Sequence, residues 1–258
     1  MLKRTQSLLA KGLFGSLTLF ALAAIPASSA SGALIYSDTF DTYADNDALA
    51  VNWPLAQGTT TDSYLATDSS NPLNKFVQQA VTVGRRDHAI TPFVPTTTTP
   101  LTVKFTFIDQ TGAASGVRQY NQVLANNGAG ALSQLIAMGE YNAATNQDNS
   151  KYQARVAFNS TNWFNLNTAR TAGPHDFTEE IFSDHVNFYV DGILDTTKTF
   201  TSDISGGFNS LRIGSGLSSA GGGAGFDNFV VSSDAVPEPA ALGLLALGGL
   251  TLLRRRRA

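Results

Sequence analysis

The stretch Val186-Asn-Phe-Tyr-Val-Asp-Gly-Ile-Leu194 decides the fold of this chain, because it combines an alternating strand with a tight turn. Apolar residues recur at every second position, which places them on one face of a β-strand. These residues are Val186, Phe188 and Val190, with Asn187 and Tyr189 on the opposite face. The Asp191-Gly192 pair that follows suits a type I′ turn, in which both central residues need a positive φ. The stretch therefore predicts a β-hairpin that packs one face on a hydrophobic core.

The same period of two recurs in other segments of the chain. One apolar face is formed by Leu101, Val103, Phe105 and Phe107, and another by Tyr152, Ala154, Val156 and Phe158, with Gln153 and Arg155 pointing outward. Further strands are expected at residues 33–40, 75–83, 132–141, 163–167, 197–201, 211–214 and 225–232. Residues 131–138 could compete as a helix, although their pattern favours a strand. Turns rich in Gly, Asn, Ser and Thr separate these segments, so we predict an all-β fold, an antiparallel two-sheet jelly-roll sandwich.

A succession of three motifs narrows this fold class to a family. The hairpin is followed by Phe208-Asn-Ser-Leu-Arg-Ile-Gly214 and then by Gly225-Phe-Asp-Asn-Phe-Val-Val231. This order resembles the closing half of the laminin-G-like, concanavalin A-like jelly roll, and Asp38-Thr-Phe-Asp41 resembles its first strand. The resemblance covers roughly residues 176–233. It implies a fold shared by glucanases, lectins and adhesive modules, so the fold alone does not name the activity.

The C-terminal end has three ordered parts. Val236-Pro-Glu-Pro239 precedes an uncharged apolar segment, residues 240–253, and the basic block Arg254, Arg255, Arg256 and Arg257. As a helix the apolar segment would rise roughly 21 Å, short of a ~30 Å hydrocarbon core, and the arginines should stay on the cytoplasmic side as a stop-transfer signal. The tail resembles the PEP-CTERM protein-sorting signal. That resemblance implies recognition of Pro237, Glu238 and Pro239 by a membrane-embedded exosortase that removes the helix; the alternative is a permanent anchor.

The N-terminal end is typical of a secretory signal peptide. A positive region with Lys3, Arg4 and Lys11 precedes an uncharged stretch, residues 12–25, and the small residues Ala27-Ser-Ser-Ala30. We expect the Sec export machinery and signal peptidase to act here. The predicted organisation is a signal peptide (1–30), a jelly-roll domain (31–235) and a sorting signal with a short transmembrane helix (236–258). The protein is then exported, held transiently in the inner membrane, and released to the cell surface or extracellular matrix.

Charge and cysteine content exclude several functions. Seven of the 17 basic residues lie in the two terminal signals, whereas only Glu238 of the 20 acidic residues does. The domain between them is therefore near −9. An acidic domain argues against nucleic acid as a partner, because nucleic-acid binding needs basic stripes. The chain has no cysteine, which excludes disulfides, thiolate metal sites and a cysteine nucleophile.

Catalytic signatures are absent from the sequence. A retaining glycosidase needs two carboxyl groups ~5 Å apart, and the Glu-x-Asp-x-x-Glu motif of the glucanases does not occur. The domain has only Glu140, Glu179 and Glu180, and neighbours in a strand point to opposite faces, so the last two should not act together. His88, His175 and His185 form no metal-ligand motif. We expect a protein that is not an enzyme, with a divergent glucanase or lyase as the alternative.

Two binding sites remain candidates. Asp38 and Asp41 at the first strand and Asp227 on the last offer hard oxygen ligands for a structural calcium, since first and last strands of a jelly roll often lie together. The alternative is a solvated acidic loop. For sugar stacking the aromatic candidates are Trp53, Tyr120, Tyr141 and Trp163. Trp53 is preferred because it precedes a proline in an expected loop, although core packing is the commoner use of such residues.

These features together predict an exported, non-catalytic protein of the cell surface or extracellular matrix that associates with exopolysaccharide. The alternatives are the divergent carbohydrate-active enzyme already mentioned and a calcium-dependent lectin.

Overall fold

A computed structural model describes residues 32–80, 83–114, 117–141, 148–158, 163–217 and 222–233. The described residues contain fifteen strands, one α-helix and one short 3-10 helix (Gly112–Ala114). The predicted all-β, antiparallel two-sheet sandwich is confirmed. The predicted signal peptide, residues 1–30, and the sorting tail, residues 236–258, lie outside the described residues. Among the described residues, no helix combines the length and apolar character needed to cross a bilayer.

The first sheet has eight strands and places the last strand of the fold in its interior. Seven strands follow in the order β13 (Ile193–Thr199), β12 (His185–Val190), β11 (Gly173–Ile181), β6 (Leu101–Asp109), β15 (Ala224–Ser232), β4 (Lys75–Gln79) and β3 (Ser63–Thr67). Strand β1 (Leu34–Asp38) also pairs with β15, from Phe229 to Ser232, whereas β4 pairs with its first three residues. The change of partner coincides with a bulge at Asn228, which has a φ of 52°. The expected proximity of the first and last strands is thus confirmed.

The second sheet has seven strands, all paired antiparallel like those of the first. Their order is β10 (Phe164–Ala169), β9 (Lys151–Val156), β8 (Leu132–Tyr141), β7 (Arg118–Asn126), β14 (Gly207–Ile213), β5 (Arg85–Phe93) and β2 (Leu55–Gln57). Residues 131–138 therefore contribute to a strand rather than to a helix.

The hairpin that opened the sequence analysis forms as predicted. Strands β12 and β13 are joined by Asp191 and Gly192, whose φ angles of 51° and 75° are both positive, as a type I′ turn requires. Glycine tolerates this conformation without the steric cost that a Cβ atom adds.

The core lies between the sheets and is rich in phenylalanine. Leu101, Val103, Phe105 and Phe107 are all at most 2% exposed, which confirms the predicted apolar face. The ring of Phe105 stacks on Phe229, and that of Phe107 stacks on Phe177, each at 5.2 Å between centroids. Such offset aromatic pairs add to the stabilisation from burial alone.

Phe158 departs from its predicted position. Strand β9 ends at Val156, and Phe158, with a φ of 66°, is 59% exposed. A residue in this left-handed conformation ends the alternation, so Phe158 leaves the apolar face that Tyr152, Ala154 and Val156 share.

One α-helix, α1 (Asn46–Asn52), occupies a segment that was expected to be a loop. The Asp45 carboxylate caps it by accepting hydrogen bonds from the backbone N–H groups of Asp47 and Ala48. Leu49 anchors the helix in the core. Asp45 and Asp47 therefore stabilise the start of the helix, since Asp is favoured at the N-cap and in the first turn.

Candidate functional site

The two sheets carry opposite charge. The strands of the seven-stranded sheet hold six basic and two acidic residues, a formal balance of +4. Those of the eight-stranded sheet hold three basic and seven acidic residues, a balance of −4. The domain is therefore acidic overall, although the strands of its seven-stranded sheet are basic.

Because side chains alternate between the two faces of a strand, two charged residues of the seven-stranded sheet point inward. Arg86 is buried and donates hydrogen bonds to the backbone carbonyls of Trp53 and Ser63. Glu140 is also buried and lies 3.2 Å from a guanidinium nitrogen of Arg170, an ion pair inside the domain. Burial raises the pKa of Glu140 to about 8, against the opposing effect of Arg170.

The other charges of this sheet face outward and share its surface with three aromatic rings. We call the set the aromatic–arginine face, and it consists of Arg85, Asp87, Arg118, Tyr120, Tyr141, Arg155, Trp163 and Arg212. Lys151 faces the same way at its margin. Asp87 is the only acidic residue on the outward side of the described strands of this sheet.

The aromatic part of the face is a stacked cluster. Tyr141 and Trp163 lie parallel, with centroids 4.7 Å apart and 5° between planes, and Tyr120 is 4.6 Å from Trp163. The small residues Ala137 and Gly139 of β8 lie on the same side, and Ala137 packs against the rings. Tyr120 and Trp163 are nearly buried, so Tyr141, which is half-buried, offers the accessible ring.

The guanidinium groups surround this cluster. The guanidinium of Arg118 lies 5.3 Å from the Tyr141 ring centroid, within cation–π range. Burial and the neighbouring Tyr141 together raise the pKa of Tyr120 to about 12, against the opposing effect of the positive charges of Arg155, Arg118 and Arg212. Three arginines are therefore close enough to Tyr120 to influence the pKa of its hydroxyl group.

Away from the rings, Asp87 pairs with two arginines of the face, Arg212 and Arg85. It accepts two hydrogen bonds of 2.9 Å from Arg212, a bidentate pair, and lies 3.4 Å from Arg85. Arg155 has no carboxylate within 4.0 Å in the described part of the chain. Its Nε atom is buried and has no hydrogen-bond partner among the described residues. The face thus holds one cation, Arg155, that no carboxylate of the described residues pairs with.

The glutamates that were considered for catalysis lie elsewhere. Glu179 points into the core, where the Asn121 side-chain amide donates a 3.0 Å hydrogen bond to it, and burial raises its pKa to about 8. Glu180 points to the opposite side of the same strand and accepts hydrogen bonds from Asn187 and Tyr189. The predicted divergence of the two glutamates is confirmed. Neither they nor Glu140 lie on the aromatic–arginine face.

Trp53, the preferred aromatic candidate for sugar binding, is fully buried. Its indole N–H donates to Asp38 at 2.9 Å and to the Tyr36 hydroxyl at 3.0 Å, and its ring contacts Phe40 and Phe229. A ring enclosed in this way presents no face to a sugar, so its assignment to carbohydrate binding was wrong. The residue after α1 closes the core instead of starting an open loop.

The proposed calcium ligands are also engaged within the protein. Asp38 accepts hydrogen bonds from Trp53, from two tyrosine hydroxyls and from a backbone N–H group, and Asp41 accepts one from the Lys75 backbone. Burial, with a smaller contribution from the charges of Asp41 and Asp38, raises the pKa of Asp227 to about 7. The three carboxylates therefore influence one another, yet no group of three acidic or histidine side chains within the described ranges is arranged to hold a metal. Asp38, Asp41 and Asp227, the predicted calcium ligands, are therefore not arranged as a metal-binding set.

The rings of Tyr120, Tyr141 and Trp163 were predicted as candidates for sugar stacking behind Trp53, whereas the arginines beside them were not predicted. Alternation alone shows that Tyr120 and Arg118 share one face of β7. It does not show that β7 pairs with β8 in the register that sets Arg118 opposite Tyr141. The cluster depends on that register and on the placement of Trp163 beside it.

The architecture matches solved structures of several carbohydrate-active proteins. A sialidase aligns with a TM-score of 0.53 at 10% identity, over 79% of this chain and 19% of that one. A glycoside hydrolase family 16 endo-glucanase from Bacteroides ovatus aligns with a TM-score of 0.53 at 10% identity, over 76% of this chain and 99% of that one. An endo-1,3-beta-glucanase from Streptomyces sioyaensis gives 0.50 at 17% identity, over 80% and 98%. The fold is therefore a concanavalin A-like jelly roll.

The C-terminal tail matches the model of a known sorting motif. Residues 235–257 fit the PEP-CTERM protein-sorting motif, and the chain therefore carries that motif, as the sequence analysis predicted. The motif implies an exported protein that passes the membrane and is processed by an exosortase. A comparison with curated proteins gives no match.

Proposed function

We propose that this is a non-catalytic protein of the cell surface or extracellular matrix that associates with exopolysaccharide through the aromatic–arginine face. The observation that carries the proposal is the stacked cluster of Tyr120, Tyr141 and Trp163 among arginines, on an outward sheet surface of an exported domain. The transient membrane stage and final release follow from the sorting signal, with Pro237, Glu238 and Pro239 as the recognised residues.

The chemistry of the face suits a sugar chain. An aromatic ring presents an apolar surface to the C–H groups of a pyranose, and arginines present several N–H donors to its hydroxyl groups. The rings are already stacked on one another, and Arg118 is already placed over Tyr141. Binding would therefore order few side chains, which lowers the entropic cost of association.

The carboxylates favour binding over hydrolysis. Retaining glycosidases need two carboxyl groups ~5 Å apart, and inverting ones need a pair roughly 6.5–9.5 Å apart. On the outward side of the described strands of the seven-stranded sheet, Asp87 is the only carboxylate, and it is paired to Arg212. The divergent glucanase or lyase is supported by the shared fold alone, which does not define an activity. The calcium-dependent lectin gains no support from Asp38, Asp41 and Asp227.

A binding assay on the exported protein tests this proposal. The protein is incubated with insoluble β-1,3-glucan, cellulose and cross-linked polygalacturonate, and its depletion from solution is measured. We expect binding to at least one of them that weakens in Tyr141→Ala. The matched control is Tyr64→Ala, which removes a half-buried tyrosine from the other sheet. If Tyr141→Ala binds the polysaccharide as well as Tyr64→Ala does, the aromatic–arginine face is excluded as the binding surface.

A turnover assay separates the catalytic alternative. The same polysaccharides are incubated with the protein, and the release of reducing sugars is measured. We expect none. Release of sugar that disappears in Glu140→Gln would contradict the non-catalytic assignment and make the protein a divergent glycosidase.

A further inference from the structure

We infer that the aromatic–arginine face selects an anionic polysaccharide, whose sugars carry carboxylate or sulfate groups, over a neutral one. This inference rests on the proposed function and names the class of ligand. It follows from the charge of the face rather than from its rings.

The charge of the face is opposite to that of the domain around it. Five basic side chains point outward from the seven-stranded sheet against the single carboxylate of Asp87, within a domain near −9. A concentration of one sign on one surface attracts ligands of the other sign and orients them before contact. A neutral glucan would gain nothing from this arrangement, whereas a polyanion would be drawn to this sheet and repelled by the other.

The arginines also keep hydrogen-bonding capacity for a ligand. Asp87 occupies Arg212 with a bidentate pair and approaches Arg85, which leaves Arg155 without a carboxylate in the described part of the chain. The buried Nε of Arg155 has no acceptor among the described residues. A buried donor without an acceptor is unfavourable, and the planar guanidinium fork matches the geometry of a carboxylate or sulfate. Arg155 as a whole is only half-buried, so the side chain, although not its enclosed Nε atom, remains open to an acidic group on a ligand.

The positions of these groups suit a sugar that is acidic at one edge. Arg155 lies opposite Ala137, whose neighbours on the face are the rings of Tyr120 and Trp163. Arg118 lies over the accessible ring of Tyr141. One sugar unit can therefore contact an aromatic ring while its acidic group reaches a guanidinium. This combination favours an acidic glycan over a partner that offers negative charge alone.

Affinity measurements with defined polymers test the inference. The exported protein is titrated with polygalacturonate, dextran sulfate and a neutral β-1,3-glucan of matched chain length, and with duplex DNA as a generic polyanion. We expect the two acidic polysaccharides to bind more tightly than the neutral glucan and the DNA. Their affinity should fall as the salt concentration rises from about 50 to about 500 mM, because salt screens exposed charges.

Charge variants locate the interaction. Arg155→Gln should weaken polygalacturonate binding roughly tenfold or more, as expected for the loss of a charge-assisted hydrogen bond. Arg155→Lys should recover part of the loss, because it restores the charge without the fork. Lys104→Gln is the matched control, since it removes an exposed cation from the opposite sheet and should leave the affinity unchanged.

The outcomes separate the two proposals. Equal affinity for the neutral glucan, with Arg155→Gln unchanged, would overturn the anionic preference and leave the proposed function standing. Failure to bind any polysaccharide would overturn both. DNA binding as tight as that of polygalacturonate would mean that the face recognises charge alone, and self-association that depends on Arg155 would identify a second copy of the chain as the occupant.

Discussion

Replacing Glu179 with glutamine tests whether the core holds a carboxyl group that resists ionisation. Glu179 is fully buried, with Asn121 as its one hydrogen-bond donor and its Oε1 atom without a partner in the described part of the chain. Burial raises its pKa from an ordinary 4.5 to about 8. Glutamine has almost the same shape and keeps an acceptor for Asn121, so Glu179→Gln removes the ionisation with little change in packing.

The sign of the effect follows from proton binding. The folded state keeps its proton to a higher pH than the unfolded state, so the unfolded state binds fewer protons between the two pKa values. The free energy of unfolding must then fall as the pH rises from about 4.5 to about 8, and it levels off above that. One pKa unit corresponds to 1.36 kcal/mol, so Glu179 costs the folded protein at most about 5 kcal/mol above pH 8. Relaxation and water entry reduce this, and we expect about 2–5 kcal/mol.

Urea unfolding at about pH 5 and about pH 9 provides the assay, with the denaturant slope checked for two-state behaviour. At the lower pH, Glu179→Gln should be equal to the wild type or about 1 kcal/mol less stable, because its amide N–H lacks an acceptor. At the higher pH it should be more stable by a few kcal/mol. Glu140 and Asp227 also have raised pKa values, so both proteins should lose stability with rising pH, and the difference between them isolates Glu179. A difference that is the same at both pH values would refute the reasoning.

Three further predictions concern the face, the hairpin and the tail. Asp87→Asn removes the one carboxylate of the aromatic–arginine face and frees Arg212, so it should increase polygalacturonate affinity in titration; weaker binding would contradict the charge argument. Gly192→Ala places a Cβ at a φ of 75° and should lower the free energy of unfolding by about 1–2 kcal/mol in urea, and an unchanged value would mean that the turn relaxes. Alanines at Pro237, Glu238 and Pro239 should leave an uncut precursor in the membrane fraction. Intact-mass spectrometry checks this, and normal release of a shortened product would contradict recognition of the motif.

Much of the fold could be predicted because each strand shows its own pattern. Alternation in residues 101–107 and 186–190 identified the core faces, and Asp191-Gly192 fixed a turn. The short helix α1 was missed because its signal, an Asp N-cap before a single buried Leu49, is brief and resembles an acidic loop. Local pattern is reliable where a segment repeats it several times.

The site could be predicted only in part. Alternation separates Glu179 from Glu180, but it does not tell which of them enters the core. Likewise it cannot show that Arg155 and Arg212 belong to the same sheet, since the strand order brings together segments that are distant along the chain. Trp53 was misassigned because its neighbours suggest a loop, whereas its burial depends on the last strand, through Phe229.

The position of β15 has a consequence for the order of events during export. This strand lies between β6 on one side and β4 and β1 on the other, yet it ends at Ser232, with only three residues between it and Val236. The eight-stranded sheet therefore cannot close until Ala224–Ser232 are available, and its closing contacts join strands that are far apart along the chain. Translocation delivers the strand and the sorting signal together. Formation of the eight-stranded sheet therefore depends on Ala224–Ser232, the strand that lies directly before the sorting motif.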